Sequence, residues 1–78
     1  MDPWVENGTL YLILNPDLEN VEKTYKVDGK EVQPTNSIVN GDGVFVLWID
    51  ANGMSQGNHE VIVSATGYNT EQRKFSIN

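Results

Sequence analysis

A chain of 78 residues with no cysteine and a formal charge of −6 has room for one small core and no disulfide to brace it, so packing and strand pairing must hold it. Five basic residues, Lys23, Lys26, Lys30, Arg73 and Lys74, form no block longer than a pair, which argues against a nucleic-acid partner and against an anionic membrane surface. Missing cysteine removes thiol catalysis and cysteine-ligated zinc, and no apolar run approaches the roughly 20 residues of a membrane-spanning helix.

In chain order, Met1-Asp2-Pro3 lacks the basic start of a signal peptide. We therefore expect a module of a larger protein, with any export signal lying outside this sequence. Asn7-Gly8 is the first turn signal, and the first strand is expected over Thr9 to Leu14. After Asn15-Pro16, the acidic stretch Asp17 to Lys23 supports one helical turn at most, because it is short and has no repeating apolar face. A strand over Val21 to Val27 then meets Asp28-Gly29, a pair suited to a tight hairpin with positive φ, and Glu31 to Gln33 returns. Further strands are expected over Ser37 to Val39, Val44 to Ile49, Glu60 to Thr66 and Gln72 to Ile77, with Asn40 to Gly43 as a second hairpin loop. About seven short strands with turns at this spacing define an all-β, mainly antiparallel β-sandwich. No linker or repeat interrupts the chain, so residues 1–78 are expected to form a single domain.

The stretch NGDGVFVLWID, residues 40–50, places six apolar side chains in succession, whereas a strand with one wet face should alternate. Phe45, Leu47 and Ile49 form one set, and Val44, Val46 and Trp48 form the other. The strand from Thr9 has the same surplus, with Leu10, Leu12 and Leu14 opposing Tyr11 and Ile13. We assign Leu10, Leu12, Leu14, Tyr25, Val27, Phe45, Leu47, Ile49, Val61, Val63, Ala65, Phe75 and Ile77 to the core. Tyr11, Ile13, Val44, Val46, Trp48 and Ile62 are then left as an outer apolar ridge, unless Trp4 and the flanking segments fold over it.

Catalytic chemistry finds little support. His59, the one histidine, reads as an exposed residue at a strand entry, and Ser37, Ser55, Ser64 and Ser76 lack the glycine pattern of a nucleophile elbow. The carboxylates read as solvated surface rather than as a pair across a cleft. Asp50 to Glu60 has the Asp, Asn and Gly of a calcium loop, but its glycine comes at the wrong position and Met54 stands where an oxygen ligand is needed. No metal, cofactor or enzymatic activity is expected.

Two pieces of the chain, YKVDGKEV at 25–32 and GNHEVIVSATGYNTEQRKFSI at 57–77, carry a resemblance. They resemble immunoglobulin-like modules of bacterial exported and cell-surface proteins, among them PEGA-type domains and the hemoglobin-interacting domains repeated in some Gram-positive heme-acquisition proteins. The shared features are Asp28-Gly29 for a turn, Gly57 for strand entry and Gly67-Tyr68 for a corner, where Tyr68 would hydrogen-bond to nearby backbone. The resemblance implies an immunoglobulin-like β-sandwich, extracellular or on the cell surface, serving as spacer, adhesion or protein–protein interaction module.

Trp48, Val46, Val44, Tyr11 and Ile13 are accordingly the candidate partner-binding residues, since aromatic and apolar anchors dominate most interfaces. The partner is expected to be a protein or a neighbouring domain of the parent chain, with a weak homodimer as a further outcome of an open apolar face. The alternative is a carbohydrate-binding accessory module that stacks polysaccharide on Trp4, Trp48 and Tyr11.

Overall fold

The computed structural model describes residues 3–78. Strand β1, Trp4–Glu6, turns back through Asn7-Gly8 into β2, Thr9–Leu14. Both turn residues have positive φ, 52° and 76°, the geometry whose twist matches that of the flanking strands. A single 3-10 turn, Pro16–Leu18, follows, started by the Asn15 side chain, which accepts the Asp17 N–H at 2.9 Å. Next come β3, Lys23–Val27, and β4, Lys30–Val32, joined by Asp28 and Gly29 at φ 52° and 85°. Strand β5, Asn36–Val39, leads through a loop to β6, Phe45–Asp50. In that loop the Asn40 side chain accepts the N–H groups of Asp42 and Val44. Two longer strands, β7, Gly57–Ala65, and β8, Glu71–Ile77, complete the chain.

All strand pairs are antiparallel and make two four-stranded sheets, ordered β1-β2-β6-β5 and β4-β3-β7-β8. Alternation then builds the core. Leu10, Leu12 and Leu14 of β2 lie opposite Ile49, Leu47 and Phe45 of β6, and all are buried. Tyr25, Val27, Val61, Val63 and Phe75 meet them from the other sheet. This is the β-sandwich expected from the sequence, and Ala65 and Ile77 join its margin as partly buried residues.

The differences are local. An eighth strand, β1, is present, and its three residues are too few to show alternation, leaving Asn7-Gly8 as their one signal. Val21 belongs to the turn after Leu18, with its N–H bonded to the Leu18 carbonyl, so β3 starts later than expected. Strand β7 starts earlier, at Gly57, because polar Asn58 and His59 pair with Ser76 and Phe75 although they have the composition of a turn.

Two members of the hydrophobic core cluster were absent from the expected core, Leu18 and Ala51. Both sit outside strands, where period-two alternation gives no information. Leu18 follows the end of β2 and precedes β3, and so closes the sandwich at the end where those strands meet. There the Lys23 ammonium bonds the carbonyls of Leu18, Glu19 and Val21 and lies 5.4 Å from the Phe45 ring centre. Removing the Leu18 side chain should cost about 2–5 kcal/mol, the usual range for a buried leucine cut to alanine. Urea unfolding of Leu18→Ala is expected to show this loss as a lowered midpoint with an unchanged slope.

Candidate functional site

The β2–β6 register that makes the core also fixes what faces outward from the first sheet. Trp4, Tyr11, Trp48 and Asn36 fall in one row across β1, β2, β6 and β5. Ile13, Val46 and Ile38 form the next row, and Glu6, Thr9 and Asp50 lie on the other side of the aromatic row. Val44 immediately precedes β6 and is half-buried. Of the five residues expected from the sequence, Tyr11, Ile13, Val46 and Trp48 therefore share one face, Val44 lies just outside the strand beside it, and each is half-buried.

The face is extended rather than covered. The Trp4 ring lies on that of Tyr11, with centres 5.0 Å apart and planes 13° from parallel, while remaining 37% exposed. Tyr11 meets Trp48 edge to face, at 6.2 Å and 67°. Trp4 thus adds its own ring at the β1 edge and leaves Ile13, Val46 and Trp48 uncovered. Ile38, which the sequence reading omitted, is 51% exposed at the β5 edge and completes the patch. Its strand is too short for alternation to identify its outward side, so its pairing with Val46 reveals it.

Ile62 is a correction. It lies in the second sheet, between Lys26 and Gln72, and faces away from the ridge. Its separation follows from β7 pairing with β3 and β8, which sequence alternation alone does not specify. The three aromatic rings also do not lie in one plane: Trp4 and Tyr11 occupy one ring face of each other, and Trp48 stands across them.

The expected exposure of His59 is overturned. Its side chain is 7% exposed, stacked on Phe75 with ring centres 5.4 Å apart. It points inward like Val61 and Val63, two and four residues further on the same strand. Nδ1 donates to Asp28 Oδ2 at 2.6 Å, and Nε2 donates to the Ser55 carbonyl at 2.7 Å. Asp28 Oδ1 also accepts the Glu60 N–H at 3.0 Å, and its own N–H bonds the Glu60 carbonyl. One imidazole thus ties the β3–β4 hairpin to the loop that follows β6.

The remaining motifs are structural. Asp50 Oδ1 accepts the Asn52 N–H at 2.9 Å, so that Asp50 shapes the turn after β6, and Met54 packs against the core. Tyr68 departs from expectation too. The residue is 47% exposed, and the corner bond comes from its backbone N–H to the Ala65 carbonyl, with Gly67 at φ 85°.

Two packed antiparallel sheets of short strands define an immunoglobulin-like domain. The solved structure titled "Tandem Ig repeats of Dlar" superposes on the whole chain with a TM-score of 0.51 at 14% identity, and the chain spans 45% of that structure's length. The likeness concerns the fold. No curated protein matches the chain. Residues 9–78 match the model of the family described as "Heme-binding protein Shr-like, Hb-interacting domain", and the chain belongs to that family. This is one of the families that YKVDGKEV and GNHEVIVSATGYNTEQRKFSI resemble. Family and fold together support a protein-interaction module, of a kind that is typically non-catalytic.

Because the Ser55 carbonyl can only accept, and Asp28 is an acceptor when ionised, both His59 nitrogens need a proton. The Asp28 hydrogen bond, and then the Ser55 carbonyl, hold the imidazole above its ordinary value. The His59 and Glu60 hydrogen bonds hold the Asp28 carboxyl below its own. The histidine contribution to stability is complete below about pH 6.5 and is lost as pH rises through the raised value. The aspartate contribution is complete above about pH 4 and is lost as pH falls through the depressed value. Urea unfolding of the native chain and of His59→Gln should therefore differ most between these limits and converge on the alkaline side. In parallel, NMR titration of Asp28→Asn should show His59 moving back toward the ordinary histidine value.

Proposed function

We propose that the chain is a non-catalytic binding module of a bacterial exported or cell-surface protein, and that it takes hemoglobin as its partner on the outer face of the β1-β2-β6-β5 sheet. The observation that carries this reading is the open row of Trp4, Tyr11 and Trp48 beside Ile13, Val46 and Ile38. Half-buried aromatic side chains on a stiff sheet supply large contact area at a low entropy cost, which is the composition of interface hot spots. A patch on the order of a few hundred Å² also matches the size that marks an interaction site on a small soluble domain. The family description supplies the partner, since hemoglobin interaction is what names those domains. Trp48 is the central anchor of the proposed site, with Val46, Val44, Tyr11 and Ile13 around it.

Titration of the chain with hemoglobin by calorimetry tests the reading. Trp48→Ala is expected to weaken binding by at least about tenfold, as hot-spot truncations do. Its effect on folding should stay near about 1 kcal/mol, because Trp48 is half-buried and makes one edge-to-face pair. Ile62→Ala, on the opposite sheet, should leave affinity unchanged. Absence of hemoglobin binding by the native chain, or native affinity in a folded Trp48→Ala, would overturn the proposal.

A further inference from the structure

The binding face has a charge pattern of its own. The strands of its sheet, Trp4–Glu6, Thr9–Leu14, Asn36–Val39 and Phe45–Asp50, contain no lysine or arginine. Lys23 and Lys26 are on β3, Lys30 is on β4, and Arg73 and Lys74 are on β8, all in the other sheet. Lys23, at the end of the sandwich, is turned away from this face and occupied by the carbonyls of Leu18, Glu19 and Val21.

Carboxylates, by contrast, stand at both ends of the apolar rows. Glu6 and Asp50 flank Thr9 in the row next to Trp4, Tyr11 and Trp48. Adjacent same-face rows are roughly 7 Å apart along a strand, inside the screening length at physiological salt. Asp42 lies in the β5–β6 loop at the far end, beyond Ile38 and Val44. An acid-ended apolar strip repels a second copy of itself, since any two-fold pairing of the strip sets carboxylates against carboxylates.

Resting on the proposed use of this face, we infer that it selects a protein surface in which an apolar or aromatic projection is flanked by lysine or arginine. The apolar centre supplies contact area, and Glu6, Asp42 and Asp50 steer and orient the partner.

Two peptides test this independently of hemoglobin, one with a Trp-Leu centre flanked by lysines and one with the same centre flanked by glutamates. In ¹⁵N-resolved NMR titrations the lysine-flanked peptide should shift the Trp4 and Trp48 indole signals, and the glutamate-flanked peptide should not. The variant Glu6→Gln/Asp42→Asn/Asp50→Asn should remove the difference between peptides. The variant Glu19→Gln/Glu22→Gln/Glu31→Gln, with the same change in net charge on exposed positions elsewhere, should preserve it.

Equal response to both peptides, response to neither, or an equal effect of the two triple variants overturns the inference. With hemoglobin as ligand, the first triple variant should lower the association rate by about tenfold at low salt and flatten its salt dependence. Hemoglobin binding that depends on Trp48 but not on these carboxylates would overturn the charge preference and leave the proposed function standing. Peptide discrimination without hemoglobin binding would do the reverse.

Discussion

The pairing of β2 with β6 is the constraint on which the rest of the molecule depends. Its six matched positions, from Thr9 opposite Asp50 to Leu14 opposite Phe45, set the core and the outer face in one step. A slip of β2 by one residue would turn Leu10, Leu12 and Leu14 outward and carry Tyr11 and Ile13 inward against Phe45, Leu47 and Ile49, because side chains alternate strictly. In an ordinary half-wet strand such a slip is opposed by polar side chains that would enter the core. Here both faces are apolar, so that penalty is weak, and register must be held from the ends. The Asn7-Gly8 turn holds one end through β1, and the Asn40 loop, with its two side-chain bonds, holds the other through β5.

The ends of the sandwich solve a second problem. A small core without disulfides is exposed where its strands stop, and this chain closes the two ends by different chemistry. At one end an aliphatic plug, Leu18, sits beneath a lysine bonded to turn carbonyls, where burial lowers the lysine below its ordinary value and Glu19 partly offsets it. At the other, a nearly buried imidazole connects Asp28 to the Ser55 carbonyl. The second loses a hydrogen bond when the imidazole gives up a proton. Local opening on the alkaline side should therefore begin among Ala51 to Gln56 and the β3–β4 hairpin, at the end that carries Glu6 and Asp50.

Sequence alternation revealed most of this architecture because alternation is strongest where strands are long and one-sidedly buried. Val61, Val63 and Phe75 could be placed inward for that reason, and Asp28-Gly29 could be placed in a tight turn because of its positive-φ preference. What escaped detection depends on contacts between segments distant in sequence. Leu18 and Ala51 lie in connections, the His59 side chain is engaged by a hairpin 31 residues away, and Ile38 joins the face only by pairing with Val46. The candidate face was visible as an excess of apolar residues in two strands. Its membership was not, since excluding Ile62 and including Trp4 and Ile38 required knowing which strands are neighbours.

That excess carries a hazard that the surroundings offset. Apolar faces on open sheets invite edge pairing and aggregation, most of all when the edges are long and flat. The edges of this sheet are the three residues of β1 and the four of β5. The apolar strip runs between carboxylates, on a chain whose formal charge is −6. Two copies therefore find each other's strips repulsive at the rim before the aromatic centres can meet. A partner bearing the opposite charge meets no such barrier, so on the proposed use of this face the acidic rim that opposes self-pairing would also give the aromatic face a preference among partners.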